Sequence, residues 1–465
     1  MGPTSPLEAV PPKAPTGPRP YAAWKSRNYQ FFAASWFLMV FAGQIQTLAV
    51  GLHIYDKTDS PLSLGWLGLI QALPIILLAI AGGQIADRFD RRRVMMANMA
   101  VTTLVAVGLA AISAGGGSVT WIYLLLSVGA VAQALGTPSR AAMLPQLVPL
   151  EDFSNAVNWN TSIFRVASML GPAVGGMIVG VQKSSTAAFL LVAVLRLFSL
   201  AGIAAMRTRW ADRSDQSISL QTVLAGIRFV YRTKLILAAI ALDLFAVLLG
   251  GATYILPIYA RDILHVGPSG LGFLASAEAV GAVTMGLLIA HLPPMRRAGR
   301  DMLLAVAGFG AATIVFGLSP WFWLSLAMMF LIGAFDNISV VVRHTLVQVL
   351  TPDQMRGRVS AVNNIFIVAS NDLGGLESGL TTWAFETLAL GSGLAGIHSE
   401  AAARAFGAHA SVIMGGIGSI LVVFLAAKLW PQLARLGSLQ DLQPVELDGE
   451  EQPCEEDAVG VGSAK

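Results

Sequence analysis

Long apolar stretches separated by short polar ones dominate this chain. In the first half they run from Tyr29 to Ile54, Leu64 to Ala86, Val94 to Ala114, Val119 to Gly136, Ala156 to Val181 and Thr186 to Met206. In the second they run from Leu235 to Ile258, Gly270 to Leu292, Met302 to Leu318, Trp321 to Val342, Val359 to Phe385 and Ala408 to Trp430. Each is close to the roughly 20 residues a helix needs to cross the hydrocarbon of a bilayer. The pattern predicts an all-α integral membrane protein with about twelve spanning helices.

Composition agrees, since 55% of residues are hydrophobic and only 12% charged, where soluble domains carry about 25% charged residues. The net charge of +3 does not point to nucleic acid, because the basic residues lie between spans rather than on one soluble face. Lys25 and Arg27, the Arg88–Arg93 cluster, Arg207 to Lys234, Arg296 to Arg300, Arg356 with Arg358, and Lys428 with Arg435 all fall on one side. The opposite connections offer Lys57, Lys183, Arg261 and Arg404. By the positive-inside rule both termini are expected in the cytoplasm and the protein in the plasma membrane. Cys454 is the only cysteine, which excludes a disulfide within the chain and makes a thiolate metal site implausible. No cofactor or metal is expected. The opening segment has no apolar core of a signal peptide and reads as a Pro-rich tail.

The chain repeats itself. The segment from Ser139 aligns without gaps on the segment from Val342, pairing Arg140 with Arg343, Leu147 with Leu350, Pro149 with Pro352, Asn160 with Asn363 and Gly171 with Gly374, all at an offset of 203. Ile54-Tyr55 matches Ile258-Tyr259, and Leu67-Gly68 matches Leu271-Gly272, at 204. An offset of six spans preserves orientation, so the halves are parallel repeats related by an axis along the membrane normal. The expected organisation is a tail over 1–24, a six-helix bundle over 25–206, a basic linker over 207–234, a second bundle over 235–430 and an acidic tail over 431–465. Two fused repeats make a monomer sufficient. Such a duplication places a pathway for a small molecule at the seam.

Several motifs carry candidate chemistry. Gly83-x-x-Ala86-Asp87-Arg88-x-x-Arg91-Arg92 resembles the signature between helices 2 and 3 of the major facilitator superfamily, with Asp90 where that pattern often has glycine. Ala167 to Gly176, with Gly171, Pro172, Gly175 and Gly176, resembles the family's fifth-helix signature of exporters, with Ala167 at the usual first glycine. LDLFAVLLGGA from Leu242 and RGRVSAVNNIFIVASNDLGGLESG from Arg356 resemble the branch containing the enterobactin exporter and macrolide efflux proteins. The resemblance spans Lys25 to Trp430 and implies two six-helix bundles, export of a small amphipathic molecule and proton antiport. Physically, Asp87 is expected to dock on the N–H groups that open span 11 near Arg358 and Val359, with Gly83 permitting close packing. Arg88, Arg91 and Arg92 would then meet carboxylates or lipid phosphates. The other reading is a solvated basic loop. The fifth-helix glycines equally suit ordinary tight packing.

Ionisable residues inside the spans are the sharper signal. Arg165, Arg196, Asp243, Glu278, Asp336, Asp372 and Glu377 would together cost on the order of 20 kcal/mol if each faced lipid, so most must face a cavity or one another. The resemblance implies that helices 1, 4, 7 and 10 line the cavity. That would put Asp243 and Asp336 on the pathway as proton carriers, with Asp243 leading; a buried acid satisfied by neighbouring hydroxyls or amides is the alternative. Since helices 5 and 8 adjoin in the family, Arg165 and Glu278 are expected to pair across the seam. A structural contact is the better expectation for Arg196, and structural hydrogen bonding stands at least level with a site role for Glu377. Phe41, Phe245 and Tyr254 are candidates for cargo contact or core packing. An uncoupled facilitator, a lipid flippase and a non-transporting sensor are the rival readings. An intramembrane serine protease is disfavoured, because Ser269 of Gly267-Pro268-Ser269-Gly270 reads as a helix cap.

Overall fold

The computed structural model describes residues 20–207, 220–251, 253–392 and 399–444. Residues 1–19 of the Pro-rich tail, 208–219 of the linker, 445–465 of the acidic tail and the side chain of Asp87 lie outside the described residues. Among the described residues all regular structure is helical. The first half holds α1 (Arg27–Thr58), α2 (Pro61–Arg88), α3 (Arg91–Gly115), α4 (Val119–Leu147), α5 (Phe153–Gln182) and α6 (Ser185–Ala205). After the linker come α7 (Leu220–Arg232), α8 (Lys234–Gly250), the single turn α9 (Leu256–Ile258), α10 (Gly267–His291), α11 (Ala298–Leu318), α12 (Phe322–Leu350), α13 (Asp353–Ser392), α14 (Glu400–Leu429) and the short α15 (Pro431–Ala434). Eleven helical segments among the described residues are long and apolar enough to cross a membrane. The remaining expected span, Val359 to Phe385, lies within α13, a helix of 40 residues that carries Asn363, Asn364, Asn371, Asp372 and Glu377.

Local chemistry sets where these helices begin and end. Ser26 accepts a hydrogen bond from the Tyr29 amide at 3.3 Å, and Asp90 accepts from the Arg92 amide at 2.8 Å. Asp90 is therefore the cap that starts α3. A side-chain oxygen there satisfies amides that a helix start leaves without partners, which gives the departure from the family's glycine a physical purpose. Gly116 ends α3 at φ 68°, a left-handed conformation that glycine adopts without steric cost.

The two halves repeat one packing scheme. α1 packs on α5 and α6, α2 on α4, and α3 on α4 and α6; correspondingly α8 packs on α13 and α14, α10 on α12, and α11 on α12 and α14. Between halves, α2 lies on α13 and α5 on α10. Exchanging the halves turns one of these seams into the other, as parallel repeats require. Large apolar side chains such as Leu77, Leu104, Phe198, Leu287 and Phe424 stay exposed on the outside, the arrangement expected where the surrounding solvent is lipid.

Both seams are built on close glycine contacts. A side-chain carbon on Gly379 of α13 would come within 2.5 Å of the Gly65 Cα of α2, and one on Gly176 of α5 within 2.8 Å of the Gly272 Cα of α10. The fifth-helix glycines divide their work: Gly171 and Gly175 face Gln44 and Ile45 of α1, whereas Gly176 faces the other half. The Pro172 carbonyl lies where a side chain on Gly272 would stand.

The seventh expected span, Leu235 to Ile258, is not one continuous helix. α8 stops at Gly250, and the path resumes through Thr253–Ile255, α9 and a wide π-type turn at Tyr259–Ile263. Two consecutive glycines weaken the helix, and Pro257 lacks the N–H needed to continue the ladder. Ser378 of α13 donates to the Gly251 carbonyl at 2.7 Å, satisfying a group the break releases, as a low-dielectric interior demands.

Candidate functional site

A cavity of about 430 Å³ lies between the halves. Gln44, Gln46 and Thr47 of α1 and Gln71 of α2 form its wall on one side, and Thr253, Tyr254, Glu278 of α10, and Asn371 and Asp372 of α13 form the other. A hydrogen-bonded chain crosses the seam here. Gln71 Nε2 donates to the Tyr254 hydroxyl at 3.4 Å, which in turn donates to Asp372 Oδ1 at 2.7 Å. Tyr254 thus sits on the cavity wall, while Phe41 stacks on Phe37 with ring centroids 5.5 Å apart. Phe245 is largely exposed.

Behind this cavity the second half holds a smaller space of about 120 Å³. It shares Thr253, Glu278 and Asn371 with the first and reaches Asp243, Asp336 and Arg343. Glu278 thus borders both spaces. Arg343 Nη2 lies 3.1 Å from Asp243 Oδ2, with both side chains buried. Arg343 Nη1 also donates to Asn363 Oδ1 at 3.1 Å, and Ser339 reaches Asp243 Oδ1 at 3.5 Å. Asp336 lines the same space, within electrostatic range of Asp243, Glu278, Arg343 and Arg165.

Arg343 escapes the list of in-span charges because the apolar run ends at Val342, one residue earlier, although α12 continues to Leu350. The repeat did contain the signal, through the pairing of Arg140 with Arg343. Among the described residues no acid is paired with Arg140, whose guanidinium lies 3.9 Å from the centroid of the Trp36 ring.

At the end of the bundle opposite the basic loops, a charged lattice joins the halves. Tyr55 donates to Asp262, and Arg261 binds Asp59 and lies 3.4 Å from Asp56 and 2.9 Å from Asp262. Arg404 donates to the Asp59 carbonyl at 2.8 Å and stands 3.3 Å from its carboxylate and 3.9 Å from Glu386. The hydrogen bond from Arg261, with Arg404 adding to it, holds the Asp59 carboxyl below the usual aspartate range. Arg261 and Arg404 are two of the four cations the charge pattern assigns to this side. Their acidic partners are inconspicuous in the sequence, lying at span ends where isolated charges are routine.

The remaining expected residues are placed as follows. Arg165 points toward the other half: its Nη1 is 3.9 Å from where a side chain on Gly286 would begin. Gly286 is about two turns along α10 from Glu278, whose carboxylate hydrogen-bonds to Thr253. Glu377 is met by the hydroxyls of Ser378 and Thr381. Arg196 is buried and donates to the Thr102 carbonyl at 2.6 Å. In the basic hairpin Gly83 is buried and Arg88 exposed. Arg91 donates to the Ala142 carbonyl of α4 at 2.9 Å, and Arg92 to the Ile203 carbonyl at 3.1 Å and to Ala204 at the end of α6. These two arginines tie helices within the first half, where cations near a helix C-terminus are favoured. Ser269 sits in the first turn of α10 against the Gly176 carbonyl at 3.5 Å, whereas His291 ends the same helix.

The family model described as Major Facilitator Superfamily matches residues 32–375, most of the chain. The chain belongs to the Major Facilitator Superfamily. Among superfamily members it is 25% identical over 332 residues to the enterobactin exporter EntS of Shigella boydii serotype 18, covering 70% of this chain and 78% of that one. The figures are the same for EntS of Escherichia coli O1:K1. A solved bacterial homolog of the human lysosomal transporter Spinster, inward-facing and unoccupied, superposes with a TM-score of 0.68 at 16% identity, over 90% of this chain and 100% of that one. The nucleoside transporter NupG gives 0.62 at 13% identity, covering 87% and 100%. This superfamily fold identifies the protein as a multi-pass membrane transporter rather than an enzyme.

Proposed function

We propose that this chain is a secondary active exporter that moves a small amphipathic molecule across the plasma membrane by alternating access, driven by protons moving the other way. The observation that carries the reading is the cavity between two related halves, closed at one end by the Arg261 and Arg404 lattice and backed by buried carboxylates. With the basic loops in the cytoplasm, the lattice end would face outward, and its ties between the halves support reading this conformation as one shut to the outside. The exporter name of the curated relatives supports the direction.

In this reading Asp243 is the leading proton carrier and Asp336 the second. A proton on Asp243 removes the charge that holds Arg343, freeing the guanidinium to turn toward Asp336 in the same small space. Rearrangement of a buried ion pair alters which conformation is favoured, because an unpaired charge there is costly. Arg165, reaching from α5 toward α10, and the Asp87 loop at the basic end would bias the same equilibrium, the latter when the halves close on that side. The fifth-helix glycines would serve as the sliding surface.

The test is efflux from proteoliposomes under an imposed pH gradient. Concentrative efflux should vanish when the gradient is collapsed, and Asp243→Asn should abolish uphill movement. Uphill export that persists in that variant would remove Asp243 from the mechanism. Gradient-independent downhill flow would indicate a facilitator, and movement of labelled lipid between leaflets a flippase.

A further inference from the structure

Around the 430 Å³ cavity several hydrogen-bond donors are committed to protein acceptors. Gln44 Nε2 donates to Ser168 at 3.2 Å, Gln71 Nε2 to Tyr254 at 3.4 Å, Tyr254 to Asp372 at 2.7 Å, and Asn371 Nδ2 to the Ile367 carbonyl at 2.8 Å. Thr253 is engaged with Glu278. Acceptors face the same space: Gln46 Oε1 is buried without a hydrogen-bond donor among the described residues, and the carboxylates of Asp372 and Glu278 border the cavity. No Lys, Arg or His lines this cavity among the described residues. Apolar surface from Leu48, Val50, Leu67, Leu126, Val247 and Leu271 completes the wall.

We propose that this cavity binds a cationic amphipath, an apolar body carrying an ammonium, guanidinium or comparable onium group, with the charge held between Asp372 and Glu278 and the body against the aliphatic wall. The assignment rests on the transporter reading above and specifies its cargo class. Its logic is complementarity. A buried acceptor left without a donor costs free energy, and two carboxylates with no lining cation create a negative field that a cation relieves and an anion worsens. The volume falls within the roughly 300–1,000 Å³ of small-molecule sites. The Arg343 guanidinium in the space behind is engaged by Asp243 and Asn363.

The test uses three probes of similar shape and different charge: tetraphenylphosphonium, triphenylphosphine oxide and tetraphenylborate. Equilibrium binding to the purified full-length protein should be about tenfold tighter for the phosphonium than for the oxide and weakest for the borate. Glu278→Gln and Asp372→Asn should each weaken phosphonium binding by about tenfold while leaving the oxide unchanged. Gln46→Glu, which adds a carboxylate to the same wall, should tighten the phosphonium. Equal or tighter binding of the oxide or borate overturns the proposal, as does phosphonium binding unmoved by all three variants. Proteoliposome efflux separates this from the transporter reading. Phosphonium binding with the stated charge order but no efflux sustains the cation site and sinks transport. Efflux of the neutral or anionic probe without charge preference sustains transport and sinks the cation site.

Discussion

At the residue scale, Arg343 and Asp243 show how a buried pair differs from a surface one. Each was removed from water to meet the other at 3.1 Å, so deleting one partner leaves an uncompensated charge, at a cost of about 3–5 kcal/mol. Arg343→Met or Asp243→Leu alone should therefore lower the thermal midpoint strongly, and the double variant should recover much of the loss; additive losses would show that the pair is not coupled. Asp59 makes a different prediction. Its pKa is lowered by Arg261 and Arg404, so its contribution is fully present above the ordinary aspartate value of about 3.9 and is lost as pH falls through the lower folded value. Asp56, Asp262 and Glu386 share the lattice, so the informative quantity is a difference. The stability gap between wild type and Asp59→Asn should stay constant from pH 8 to 5 and close only in stronger acid. The sequence exposed Asp243 because an acid in an apolar run is conspicuous. It hid Arg343 because the last polar turns of a spanning helix look like the loop that follows.

At the element scale, helix positions were legible because hydropathy reports the lipid directly, and eleven helical segments answer to it. The break after Gly250 was not, since an apolar run has the same composition whether its backbone is straight or broken; Pro257 was the usable sign. Glycine contacts between α5 and α10 yield the next expectation. Gly176→Leu or Gly272→Leu must push apart backbones that now touch, an overpacking worth about 1–3 kcal/mol. Both variants should leave the helical content intact while raising labelling of a cysteine placed at Thr58, next to the lattice. The hairpin arginines teach a further point. Arg91 and Arg92 hold carbonyls of α4 and α6, and nothing in the order of residues distinguishes such a tie from a free basic loop.

At the scale of the whole molecule, the repeat fixed the symmetry: one offset near 203 residues relates the two halves, and α2 on α13 with α5 on α10 are the two seams that symmetry demands. If the halves rock, the lattice must part once per cycle. In a Cys454→Ser background, Asp59→Cys with Arg404→Cys, bridged by a disulfide-containing bis-thiol-reactive crosslinker that spans the reach of the arginine, should stop export, and a reductant should relieve the block. Unimpaired export through the crosslinked protein would show that this end never opens. The glycine seams also determine what such an opening would uncover. Gly68 lies against the main-chain carbonyl of Asp372, and Gly272 against that of Pro172, so parting helices bare strips of peptide oxygen rather than greasy side chains. Water, not lipid, is the natural occupant of that newly made furrow, and the vestibule would flood as soon as it forms.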